Sequence, residues 1–194
     1  MTPSEPSRPF SVCVFCGARP GSEPRFLEIA RRAGALLAAG GATVVYGGGS
    51  VGMMGALADG ALAAGGPVVG VIPAVLMNRE VGHRGLTQLE VVADMQVRKQ
   101  RMIALSDAFL TLPGGLGTLD ELFEVLTLRQ LGEHAKPIVA VSDAGYFDAL
   151  AASLQGFVDH GLAAGRDVAA LELFPTLEGA LARLGLPGAP SSAA

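Results

Sequence analysis

The chain has 194 residues, half of them hydrophobic, and a formal net charge of −4. That length suits one domain with a full buried core, and mild acidity leaves no basic footprint for nucleic acid. No apolar run reaches the length of a membrane span, because glycines and charges interrupt each one, so no membrane contact is expected.

Residues 1–9 are polar and proline-rich, lack the apolar stretch of a signal peptide, and are expected to be a flexible lead into a cytoplasmic protein. Residues 10–15 read as the first strand and 22–39 as a helix. Residues 43–46 form a second strand followed by a helix over 51–64, and 67–72 a third strand. A polar stretch over 73–88 leads to a short strand at 89–92. Asp94 then suits the cap of a helix reaching Ser106. Residues 108–112 are strand, with a helix behind them to about Leu131. Residues 138–141 are strand, 145–160 helix and 177–184 a last short helix. The Pro-, Gly-, Ser- and Ala-rich residues 187–194 are expected to be disordered.

The strands are short, continuous apolar runs such as Val68-Val69-Gly70-Val71-Ile72. Such runs indicate burial on both faces, hence a parallel sheet covered by helices. The alternation predicts an α/β, Rossmann-like doubly wound parallel sheet, with residues 10–186 as a single domain. Ligands of that fold bind beyond the carboxyl ends of the strands, and both glycine loops of the chain follow strands directly.

The richer loop is Pro113-Gly114-Gly115-Leu116-Gly117-Thr118-Leu119-Asp120-Glu121, between a strand and an amphipathic helix. Gly114, Gly115 and Gly117 let backbone N–H groups face a ligand, and the helix start adds positive potential, which suits a phosphate. Glu121 has two readings. Thr118 and Glu121 form a capping-box pattern, and a carboxylate beside a phosphate cradle equally suits catalysis. Asp120 and Glu124 are favourable near a helix start through its dipole.

The second loop, Gly47-x-Gly49-x-x-Gly52, matches the spacing of a dinucleotide fingerprint. It follows the second strand, and the next strand ends Val71-Ile72-Pro73 without the acidic residue that would hold a ribose. NAD is therefore not expected. A tight turn for helix packing or the wall of a mononucleotide pocket remain. Arg98 sits one turn into its helix between Met95 and Met102, a spacing that suits core packing, and a helical arginine is ordinarily solvated. Cys13 and Cys16 lie in apolar surroundings with no further cysteine to complete a zinc set, so they read as buried structural thiols. His83, His134 and His160 lack metal-ligand spacing, and no metal is expected.

The segment at 113–121 is Pro-Gly-Gly-x-Gly-Thr-x-x-Glu and resembles the signature of the "lonely guy" (LOG) family of cytokinin-riboside-monophosphate phosphoribohydrolases, once labelled lysine decarboxylases. The likeness continues in Val12-Cys13-Val14-Phe15-Cys16-Gly17, in Tyr46-Gly47-Gly48-Gly49 through Gly52-Met53-Met54-Gly55, and in Met95-Gln96-Val97-Arg98-Lys99 ending at Met102. Gln96 stands where the family usually has a histidine.

The resemblance implies hydrolysis of the N-glycosidic bond of a nucleoside 5′-monophosphate, releasing base and ribose 5-phosphate. N6-modified adenine nucleotides are the typical substrates. It implies Arg98 and Glu121 as catalytic residues. Glu80, Lys99 and Thr127 become substrate ligands, Gly48 and Gly49 pocket residues, and Gly114, Gly115, Gly117 and Thr118 the phosphate cradle. No cofactor is implied, and a homodimer or higher oligomer is. The same scaffold also serves non-catalytic nucleotide or molybdenum-cofactor carriers, which need not keep the Arg98 and Glu121 pair. The old decarboxylase label fits poorly: a pyridoxal-phosphate enzyme needs a Schiff-base lysine, and only Lys99 and Lys136 exist.

Overall fold

Alternating apolar runs and amphipathic segments build one sheet with helices on both sides in the computed structural model, which describes residues 9–77 and 82–186. The strands are β1 (Ser11–Phe15), β2 (Thr43–Tyr46), β3 (Val68–Pro73), β4 (Gln88–Val92), β5 (Ala108–Thr111), β6 (Ile138–Val141) and β7 (Leu171–Phe174). The helices are α1 (Pro24–Ala39), α2 (Gly52–Ala63), α3 (Met95–Leu105), α4 (Leu116–Gln130), α5 (Asp148–Asp159), α6 (Gly165–Val168) and α7 (Leu177–Arg183). All strand pairs are parallel, in the order β4-β3-β2-β1-β5-β6-β7. The doubly wound α/β expectation is met.

Side chains alternate across the sheet with the two-residue period of a strand. Val12, Val14, Val44, Tyr46 and Leu110 pack with Leu37 of α1, Leu57 of α2 and Leu181 of α7. Cys13, Phe15, Val45, Val71 and Phe109 face the other way, onto Met102 of α3, Leu122 and Val125 of α4 and Leu154 of α5.

Predicted strand ends are observed within one residue. Two elements were absent from the sequence reading, β7 and the short α6. The β7 run Leu-Glu-Leu-Phe is short and half-buried, and it carries a charge that Arg183 of α7 neutralises at 2.7 Å. The helix expected from 145 starts three residues later, because a 3-10 turn at Asp143–Gly145 intervenes with Ala144 in the left-handed region (φ 48). Residues 1–8 and 187–194, expected to be flexible, lie outside the described residues. Among the described residues no helix is long and apolar enough to cross a membrane.

The strand order fixes where a ligand can sit. From β1 the chain first works outward through β2, β3 and β4, then returns to place β5 on the other side of β1. The loops after β1 and β5 therefore lead to opposite faces and leave a crevice between them, the topological switch point of an open α/β sheet.

Candidate active site

A cavity of about 570 Å³ opens at that crevice. The loops after β1, β2 and β5 border it, with Met95 and Arg98 of α3, Glu121 of α4 and Tyr146. The walls are tied together. Gly17 N–H donates to the Pro113 carbonyl at 3.2 Å, and the Tyr146 hydroxyl donates to the Gly114 carbonyl at 2.8 Å.

The glycine loop after β5 forms one wall of the cavity. Gly115 is the N-cap of α4 in extended geometry (φ −98, ψ −151), and no side chain caps the helix. The capping-box reading of Thr118 and Glu121 is therefore not met. Thr118 is the third helical residue, buried, with its hydroxyl against Gly114. The helix starts earlier because an extended Gly115 lets Leu116 and Gly117 enter helical geometry. N–H groups of the first turn then have no intrahelical acceptor, and the helix dipole adds partial positive charge. Gly114, Gly115, Gly117 and Thr118 all line the cavity. A phosphate fits this wall.

Opposite charges meet nearby. The Asp94 side chain caps α3, accepting from Val97 N–H at 2.9 Å, and this sets the helix so that Arg98 points inward. Arg98 is only 5% exposed. Its Nη2 lies 3.7 Å from Glu121 Oε1 and its Nη1 3.6 Å from the Met95 sulfur. Its Nε is buried without an acceptor among the described residues. A guanidinium has five N–H donors, and a buried charge is costly unless well satisfied. Arg98 therefore holds donor capacity in reserve at the cavity wall. Gly47 makes room for it, since a Cβ there would collide with Nη2.

Both thiols are held in the neutral form. Burial pushes both well up, the Glu121 charge adds to this, and Arg98 opposes it. They pack into hydrophobic clusters on opposite faces of the sheet, so Cys13 and Cys16 are not brought together, and both are free and buried.

The remaining candidates lie elsewhere. The Lys99 ammonium bonds Asp120 at 3.1 Å and also Glu124, both on α4, and does not border the cavity. These bonds, Glu124 first, raise its pKa. Thr127 is exposed farther along α4. The Gly48 carbonyl accepts from His83 N–H at 3.0 Å. Gly49 bridges to Gly82, and its carbonyl accepts from the Tyr46 hydroxyl at 3.1 Å. Of that triplet, Gly47 borders the cavity. Glu80 lies outside the described residues. Lys136 donates to the Ile103 carbonyl at 2.7 Å, so neither lysine lines the cavity as a Schiff-base residue would. Among the described residues no group of three His, Cys, Asp or Glu side chains is placed to hold a metal ion.

Arg19 and Tyr146 border the cavity and were not singled out from the sequence. The available signal was position, since each follows closely on the carboxyl end of a strand.

Comparison with known proteins adds a second line of evidence. A family model described as "Possible lysine decarboxylase" matches residues 54–184. A Rhodococcoides fascians protein named cytokinin riboside 5′-monophosphate phosphoribohydrolase is 47% identical over 156 residues, covering 77% of this chain and 79% of its own length. A Mycobacterium tuberculosis protein of the same name is 49% identical over 152 residues, covering 78% of this chain and 81% of its own. Among solved structures, a molybdenum cofactor carrier protein from Chlamydomonas reinhardtii superposes with a TM-score of 0.71 at 22% identity, over 92% of this chain and 97% of its own. That likeness concerns the fold alone.

Proposed function

Since the chain belongs to the LOG family of cytokinin riboside 5′-monophosphate phosphoribohydrolases, we propose that it hydrolyses the N-glycosidic bond of adenosine 5′-monophosphates, including N6-modified ones, to free base and ribose 5-phosphate. The observation that carries this reading is the Arg98–Glu121 pair, 3.7 Å apart, on the same cavity as the uncapped start of α4.

Cleavage of a glycosidic bond develops positive charge on the ribose ring in an oxocarbenium-like transition state. The Glu121 carboxylate stabilises that charge and takes a proton from the water that attacks C1′ as the C1′–N bond breaks, while the departing base gains its proton from solvent. Arg98 orients the carboxylate, and its remaining donors hold the substrate. The Gly114–Thr118 wall binds the 5′-phosphate, whose binding energy positions the sugar for attack. Lys99 acts through α4, by fixing two of its carboxylates.

The working form is a homodimer. Leu116 is 89% exposed at the start of α4, and Val97 on α3 and Phe123 on α4 are also exposed apolar side chains. Burial of such side chains in a subunit contact would fit that reading.

The test is release of ribose 5-phosphate from AMP and from isopentenyl-AMP by the purified protein. Glu121→Gln should lower turnover by roughly 10²–10⁴-fold, the range for a positioned acid–base group. A wild-type protein that binds nucleotides but releases no ribose 5-phosphate from any of them would be a carrier. The fold likeness alone supports that alternative.

A further inference from the structure

Among the described residues, three charged side chains border the cavity: Arg98, Glu121 and Arg19. The first two offset one another. A phosphate monoester brings a charge of about −1.5 to −2 at neutral pH, and a helix start returns only about half a positive charge. Lys99, a nearby cation, is committed to Asp120 and Glu124. Arg19 is exposed, and no hydrogen bond or ion pair engages its guanidinium among the described residues.

Its backbone is placed for a ligand. The loop after β1 runs beside the phosphate wall, through the Gly17 to Pro113 hydrogen bond at 3.2 Å. It rests directly on the start of α2, where Gly52 adopts φ +60 and a Cβ would come within 2.7 Å of the Arg19 carbonyl carbon. Pro20 follows and disfavours the α conformation at Arg19. The main chain is thus held from both sides, while the side chain remains unengaged. A planar guanidinium then meets a phosphate with two parallel hydrogen bonds.

We propose that Arg19 grips the substrate's phosphate from the side facing the α4 start and makes the site select a 5′-monophosphate over an unphosphorylated nucleoside. This rests on the phosphoribohydrolase reading above and adds a ligand to it. The balance of charge supports it: with Arg19 engaged, the charged side chains of the cavity sum to a net positive charge for an anionic substrate, and without it they cancel.

Arg19→Ala and Arg19→Lys are compared with wild type in two measurements, nucleotide hydrolysis and calorimetric binding of ribose 5-phosphate. Arg19→Ala should raise KM for AMP by about 10- to 100-fold, the worth of charge-assisted hydrogen bonds, and leave kcat within about threefold. Ribose 5-phosphate should bind more weakly by the same factor, adenine as before, and Arg19→Lys should fall between. Unchanged ribose 5-phosphate binding in Arg19→Ala overturns the proposal, even if hydrolysis proceeds. A fall in kcat at constant KM overturns it too. If wild type binds ribose 5-phosphate but hydrolyses no nucleotide, the function fails instead, and the calorimetric comparison still decides the role of Arg19.

Discussion

The Arg98 guanidinium fills the space that a side chain at position 47 would need. The two positions belong to different elements, the end of β2 and the first turn of α3, so the fit ties the glycine loop after β2 to the Arg98–Glu121 pair. Gly47→Ala should push the guanidinium off Glu121. Misplacing a catalytic group by an ångström costs about 10²-fold, so kcat should fall by about that much while circular dichroism stays native. Steady-state kinetics on the folded variant checks it, and full activity would show that Arg98 tolerates the shift.

Lys99 links α3 to α4 through Asp120 and Glu124. A double-mutant cycle with Lys99→Met and Glu124→Gln should give a coupling of about 1 kcal/mol in stability. Lys99→Met alone should lower Tm by about 2–4 °C, with KM nearly unchanged. A tenfold rise in KM without a change in Tm would instead make Lys99 a substrate ligand.

The Tyr146 hydroxyl fixes the Gly114 carbonyl, and its ring packs edge-on against Phe26 at 5.7 Å and Phe147 at 5.0 Å. Tyr146→Phe keeps the ring contacts and removes the bond. A hydrogen bond worth about 1 kcal/mol corresponds to roughly a fivefold rise in KM. Titration of substrate against the variant measures it. An unaltered KM would mean that Gly114 holds its position without help.

His134 accepts the Lys136 N–H at Nδ1 (3.2 Å) and donates from Nε2 to the Val125 carbonyl (2.9 Å), so the folded state holds the neutral ring. Its pKa lies below the usual 6.5 because burial disfavours the cation; the Val125 carbonyl pulls it upward, and Lys136 and Arg129 push it down. As pH falls below 6.5 the unfolded chain takes up this proton first, so the stabilising contribution present above that value is lost on the way down to the folded pKa. Denaturant melts at pH 7.5 and 5.5 should show a smaller loss for His134→Gln than for wild type. Equal losses would place the effect elsewhere.

The sheet was legible because strands buried on both faces appear as unbroken apolar runs with punctuation between them. The strand β7 broke that rule: Glu172 sits inside it, and Arg183, its partner, is on another element. The motif loop was legible as a glycine turn opening a helix, but Thr118 and Glu121 present one pattern whether the threonine precedes the helix or lies inside it. The extended geometry of Gly115 decides between the two. Arg98 read as an ordinary helical arginine because its burial depends on Gly47, far away in the chain. Arg19 and Tyr146 gained meaning only when three strand-end loops met.

The pairing of β1 with β5 has a consequence for how the protein acquires activity. Ser11 and Asp107, 96 residues apart, are joined by a hydrogen bond at 2.9 Å where those strands come together. Everything at the cavity depends on that long closure, which costs chain entropy before any contact repays it. A nascent chain is therefore inert until most of the sheet exists, and no fragment ending before β5 can carry part of the reaction. Turnover in a refolding experiment reports on completion of the whole sheet, which makes the enzyme its own folding assay.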